Sequence, residues 1–484
     1  MQEPIVRMHQ LRFAHLIDPV LDDFSWEWPA GQHLAILGGN GCGKTTLAGL
    51  ITDQLRPNRG EIHYANHLSP NEIYLVSFDQ HRQLMEHDRR FDDSENRADA
   101  FDMGTTVHQA ILQDKPEDTR FTELSKRLGI DHILDQGIRF ISTGESRKTL
   151  LARALLSEPA ALILDNPLEG LDKNAQQEMR QLMDELVASP LPLLLLVKDA
   201  DDIPDALDDV QIMDAGKIIR HCSSAEAKQS QQQRPHFSKP LPIKRGDNWP
   251  ADQALIELND VSVNFRGKQV LSNINWQLLP HQHCCISGPN GAGKSTLLGL
   301  LCGENDKAWG QQVKLFGKAR GSGESIWQIK EKFGLLNTSL QLNHLKRIKV
   351  IDVIASGLFD SVGLYNNYGD AQRQQLLAWL DAFDLLHERE QRFDRLSFGQ
   401  QRMILLARAM VKSPPILILD EPCIGLDGEQ KARLLGAVDH IAAQGDTRIL
   451  FVSHRSEDIP DCINQFLELV PSEAGGYTAK IEER

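Results

Sequence analysis

The sequence predicts an α/β fold in two tandem copies, each a parallel sheet that carries a phosphate-binding loop. Two glycine-rich loops predict it first: Gly38-Gly39-Asn40-Gly41-Cys42-Gly43-Lys44-Thr45-Thr46 and Gly288-Pro289-Asn290-Gly291-Ala292-Gly293-Lys294-Ser295-Thr296 both fit G-x-x-x-x-G-K-[ST]. Two apolar runs ending in a carboxylate predict it second, L-I-L-D at Leu162 to Asp165 and I-L-I-L-D at Ile416 to Asp420. Each is long enough for one buried strand, and in open α/β sheets the C-terminal strand ends face the crevice that binds ligands. The third observation is spacing. The loops lie 250 residues apart, while Ser142 and Ser397, like Asp165 and Asp420, lie 255 apart, so one domain occurs twice.

Composition narrows the function. A chain of 484 residues has material for two domains with sizeable cores. Lys and Arg number 52 against 67 Asp and Glu, a net charge of -15, which argues against a surface built to hold nucleic acid. No apolar run approaches the ~20 residues of a membrane span, and the N-terminus lacks a signal-peptide pattern, so a cytoplasmic protein is expected. The seven cysteines show no C-x-x-C spacing; Cys284 and Cys285 read as small core residues, and disulfides are not expected.

In chain order, strands are expected around Ile5 to Phe13, Phe24 to Trp28 and Ala35 to Leu37, then a helix over Thr46 to Leu55. The charged run His81 to Asp102 reads as a surface insertion, and the stretch to Arg139 as mostly helical. A helix near Gln176 to Ala188 and a strand at Leu191 to Val197 complete the first copy, residues 1–221. Ser, Gln, Lys and Pro dominate 222–253, a composition expected to form a flexible linker with a reach of roughly 30 Å. The second copy is expected over 254–484.

Glycines let each loop curl so that its N–H groups converge on phosphate oxygens, and Lys44 or Lys294 adds positive charge. The hydroxyl of Thr45 or Ser295 suits a magnesium ion, which Asp165 or Asp420 would help to hold. Glu421 is placed to polarise an attacking water; Asn166 stands at the matching position of the first copy. Ser142-Thr143-Gly144-Glu145 and Ser397-Phe398-Gly399-Gln400 have the form of capping boxes opening helices, and a glycine-flanked helix N-terminus also receives phosphate.

Taken together, the phosphate loops, serine-glycine signatures, acidic strand ends and following G-L-D resemble the nucleotide-binding domains of the ABC ATPase superfamily over nearly the whole chain, twice. The resemblance implies RecA-like P-loop NTPase domains, each with an antiparallel β subdomain and a helical subdomain, using ATP and Mg2+. It implies that the halves pack head to tail, so that Ser142, Gly144 and Glu145 complete the second-half phosphate site and Ser397, Gly399 and Gln400 the first. Leu171-Asp172 and Leu426-Asp427 match the family's D-loop, and His454 its switch histidine. Phe265 matches the aromatic that stacks on adenine, with His15 at that distance in the first half.

Departures from the pattern make the halves unequal. Asn166 cannot accept a proton as a carboxylate does, and Asp199 occupies the histidine's place. The second-half site is therefore expected to turn over and the first to hold ATP. The family's loop glutamine is displaced, since Phe78 and Thr338 fall near its position with Gln80 and Gln341 close by.

Within the superfamily, Ile141 to Leu150 and Gly321 to Trp327 resemble tandem-domain ATPases of bacterial molybdate operons. That implies an energising subunit for a membrane permease, peripheral at the inner membrane, with transport of molybdate suggested by operon association alone. The alternative is a soluble ATPase that remodels a ribosome, DNA or protein complex. Gly321 to Trp327 itself reads as a surface turn and strand.

Overall fold

The computed structural model describes residues 3–14, 19–65, 68–77, 104–113, 115–231, 234–235, 237–243, 249–265, 268–303, 310–337, 348–364, 366–453, 455–473 and 475–484. The chain forms two compact units, Met1–Gln233 and Arg234–Arg484. The expectations placed on His15, Phe78, Gln80, the charged run His81 to Asp102, Thr338, Gln341 and His454 lie outside the described residues.

In the first unit, β1 (Val6–Ala14), β2 (Pro19–Trp28) and β4 (Arg59–Tyr64) form a small antiparallel sheet in the order β2-β1-β4. The main sheet uses β3 (Leu34–Leu37), β5 (Ile73–Ser77), β6 (Ala161–Asp165), β7 (Leu193–Val197), β8 (Val210–Asp214) and β9 (Lys217–Cys222) in the order β5-β6-β7-β3-β8-β9. Its first five strands are parallel and β9 runs antiparallel.

The second unit repeats the parallel block. β15 (Phe333–Leu336), β16 (Ile416–Asp420), β17 (Arg448–Val452), β12 (Cys284–Ser287) and β18 (Gln465–Pro471) lie in that order. Beyond it, β19 (Tyr477–Glu483) pairs antiparallel with β18 and meets β11 (Lys268–Leu278) at Leu271–Tyr477. That contact joins the antiparallel strands β11, β10 (Ile256–Phe265), β13 (Gln312–Leu315) and β14 (Lys318–Ala319) into one ten-stranded sheet.

Strands β6 and β16 read as continuous apolar runs because helices or a second sheet cover both their faces. Leu162 and Leu164 enter one core and Ala161 and Ile163 the other. Leu417 and Leu419, against Ile416 and Ile418, repeat the division. Full burial contributes about 1.5–3 kcal/mol for each of the Leu and Ile side chains, so the carboxylates at the strand ends sit on rigid supports. A buried indole ties each antiparallel sheet to its parallel block: Trp26 Nε1 donates to Gln211 Oε1 at 2.7 Å and Trp276 Nε1 to Gln465 Oε1 at 2.9 Å.

Two expectations need correction. The stretch 222–253 is not a loose linker throughout, because its scattered apolar and charged residues find partners distant in sequence. Ser224–Gln231 is a helix on the first unit, with Ala227 buried and Gln231 Oε1 accepting from Ala200 N at 2.6 Å. On the second unit, Arg234 pairs with Asp439 at 2.6 Å and Phe237 packs into the core against Phe383 and His440. Gly321 to Trp327 ends in a helix, Ile326–Lys330, instead of a strand, because Ser325 and Gln328 make a capping box. Cys284 and Cys285 are buried core residues as expected.

Candidate active site

Each phosphate loop leaves the C-terminal end of a central strand, β3 or β12, and enters a helix, Lys44–Ile51 or Lys294–Cys302. Gly43 and Gly293 precede these helices at φ 111° and 94°, a left-handed backbone that favours glycine. A Cβ on Gly293 would also press to 2.8 Å from the Leu271 side chain. Both lysines are buried and fold back over their loops. Lys44 Nζ donates to Gly38 O at 2.6 Å and Gly39 O at 2.9 Å; Lys294 Nζ donates to Gly288 O at 2.8 Å and Pro289 O at 3.2 Å.

In the first unit, Thr45 Oγ1 donates to Asp165 Oδ2 at 2.7 Å, across 120 residues of sequence. The other oxygen, Oδ1, accepts from Asn166 Nδ2 at 2.8 Å. In the second, Lys294, Ser295, Asn337, Asp420 and Glu421 line one cleft of about 450 Å³ with the loop glycines. Burial raises the Asp420 carboxyl above its usual range, the neighbouring Glu421 carboxylate adds to the rise, and Lys294 opposes it. Two like charges side by side at a cleft favour a bound cation, and a hydroxyl with a carboxylate is the oxygen set that Mg2+ takes. The residues therefore fit the ion: Thr45 and Asp165, or Ser295 and Asp420, would hold it. When bound, it supplies positive charge to the phosphate oxygens.

Asn166 and Glu421 share a backbone conformation, each with φ 48°. Each N–H is fixed by the neighbouring strand, Asn166 N to Leu196 O at 2.9 Å and Glu421 N to Val452 O at 3.1 Å. The two residues thus leave their strand ends with the same left-handed φ, one carrying an amide and the other a carboxylate.

Ser142 and Ser397 open the helices Thr143–Leu156 and Phe398–Met410 with full capping boxes. Ser142 N donates to Glu145 Oε2 at 2.7 Å and Ser397 N to Gln400 Oε1 at 2.9 Å. Asp172 and Asp427 cap the helices after the acidic strands, accepting from Ala175 N and Gln430 N at 2.9 Å each. Asp199 accepts from Asp201 N at 3.1 Å and caps a short 3-10 turn.

Phe265 closes β10 opposite Lys268 and is 41% exposed; from the same hairpin it is Val270 that lines the cleft. Asn337 was missed in the sequence. It follows β15 directly, beside Asp420, and its signal was only its place one residue after a short apolar run.

The ABC transporter family profile matches residues 21–169 and 271–424, most of the chain and both copies of the loop and acidic strand. The chain belongs to the ABC transporter family. As an ABC protein it is an ATPase that binds ATP with Mg2+. It is 36% identical over 454 residues to the ABC transporter ATP-binding protein ModF of Escherichia coli (strain K12), covering 91% of this chain and 92% of the relative. An uncharacterized ABC transporter ATP-binding protein of Schizosaccharomyces pombe is 25% identical over 92% of this chain and 94% of its own. Among solved structures, the archaeal ribosome recycling factor aABCE1, in complex with the ribosomal stalk protein aP1, matches with a TM-score of 0.60 at 16% identity. That match covers 97% of this chain and 89% of the other and shows a shared ABC fold. Among the described residues, no helix is long and apolar enough to cross a membrane.

Proposed function

We propose that this ABC ATPase has one turnover site and one holding site, formed as its halves close head to tail over ATP. The turnover site joins Lys294, Ser295, Asp420, Glu421 and His454 to the signature at Ser142, Gly144 and Glu145. The holding site joins Lys44, Thr45, Asp165, Asn166 and Asp199 to Ser397, Gly399 and Gln400. The observation that carries this reading is the matched pair at φ 48°: a carboxylate at 421 and an amide at 166, presented by equivalent turns. Glu421 can orient and accept a proton from water, whereas the Asn166 amide donates to Asp165 and cannot act as a base.

We further propose that turnover energises a membrane permease, related to molybdate uptake. Similarity to ModF over 91% of the chain supports this reading. The test is affinity purification of the Glu421→Gln chain with MgATP from the native membrane-containing extract. Recovery of an integral membrane permease supports the proposal; recovery of ribosomal particles or nucleic acid in its place contradicts it in favour of a soluble remodelling ATPase.

A further inference from the structure

We infer that Lys198 and Glu169 are positioning residues that fix the first-half turn carrying Asn166, so that this site retains its ATP. The inference rests on the two-site reading above. Lys198 directly follows β7, and Glu169 lies in the turn that follows Asn166. Lys198 Nζ and Glu169 Oε1 form an ion pair, and the lysine is only 7% exposed. Arg147, from the signature helix, reaches the same turn: it donates to Asn166 O at 2.7 Å and also to Glu169 O. Signature helix, acidic-strand turn and the end of β7 are thereby tied together by charged groups.

The second half has a different set at the matching positions. Ile424 stands where Glu169 does and carries no charge to pair. Ser453 replaces Lys198, and its hydroxyl bonds to its own strand end, donating to Arg455 O at 3.2 Å and accepting from Arg455 N at 3.0 Å. Arg402, the counterpart of Arg147, donates to Ile424 O at 3.4 Å. Ion pairs with a partly exposed member contribute little to stability, so stability alone gives little reason for the pair. It occurs in the half whose turn presents Asn166 in place of the base, where a fixed turn serves retention.

The test measures unhydrolysed ATP retained by the full chain after incubation with MgATP and rapid gel filtration, followed by its release rate. Glu169→Gln, Lys198→Met and the charge swap Glu169→Lys with Lys198→Glu are compared with wild type, and Lys44→Ala assigns retained ATP to the first half. Retention by wild type, loss of it in Lys44→Ala, release faster by on the order of tenfold in each single variant and recovery in the charge swap support the inference. Glu169 is partly exposed, so Glu169→Gln carries the test even where Lys198→Met fails to fold. Wild-type release rates in both single variants overturn the inference while leaving the two-site reading intact. Absence of retained ATP in wild type, or its persistence in Lys44→Ala, overturns that reading.

Discussion

Asn166 Nδ2 donates to Asp165 Oδ1 at 2.8 Å, whereas Glu421, at the equivalent turn of the second half, brings a second carboxylate up to Asp420. The first arrangement is satisfied within the protein: both Asp165 oxygens have donors, Thr45 and Asn166. The second raises the electrostatic cost of the apo site and leaves it complementary to a metal ion and to a developing positive charge on water. The difference between the two strand ends is that of an amide against a carboxylate at positions 166 and 421.

Glu421 adopts φ 48°, a left-handed conformation that costs an ordinary side chain about 1–2 kcal/mol and that asparagine tolerates better. Glu421→Asn is therefore expected to raise the unfolding free energy of the second unit by roughly 0.5–1 kcal/mol while abolishing turnover. Denaturant titration and steady-state ATPase assays check the two effects. A destabilised Glu421→Asn chain would show that the backbone strain is not relieved.

His283 is held neutral just before β12. Its Nδ1 accepts from Ile449 N at 3.1 Å, and burial, aided by Arg448 and opposed by Asp439, lowers its pKa from 6.5 to about 4. The unfolded chain binds this proton near pH 6.5 and the folded chain does so only near pH 4. Stability from this group is full above the upper value, falls as the pH drops through that window, and is gone below it. The loss is on the order of 3 kcal/mol. Unfolding free energies measured from pH 7 to pH 4 should fall less steeply for His283→Gln than for wild type, and parallel curves would exclude the assignment.

Phe237 is expected to behave as a core residue despite its place between the two repeats. It lies T-shaped on Phe383 at 5.9 Å and stacks on His440 at 6.1 Å. Phe237→Ala should destabilise the second unit by about 3 kcal/mol, the usual cost of deleting a buried aromatic ring. Chemical denaturation measures it; a change below about 1 kcal/mol would mean that the segment is detachable.

What the sequence disclosed follows from how local each signal is. The phosphate loops, capping boxes and acidic strand ends are short contiguous patterns whose backbone geometry follows from glycine, serine or a run of apolar residues, and the structure places them on the strands and helices expected. The anchoring of Phe237 and Arg234 was hidden because Phe383, His440 and Asp439 lie far along the chain and no local periodicity announces them. Asn337 was hidden for a related reason: only the register of β15 against β16 brings it next to Asp420. The Lys198–Glu169 pair likewise joins two strand ends that meet only because β6 and β7 are neighbours.

Glu421 is proposed as the base of turnover, with no such part for Asn166. Steady-state ATPase rates of Glu421→Gln and Asn166→Gln, measured side by side in the full chain with MgATP, test it most directly. The expected result is a loss on the order of 100-fold or more for Glu421→Gln with Asn166→Gln close to wild type, and comparable losses in both variants would contradict it.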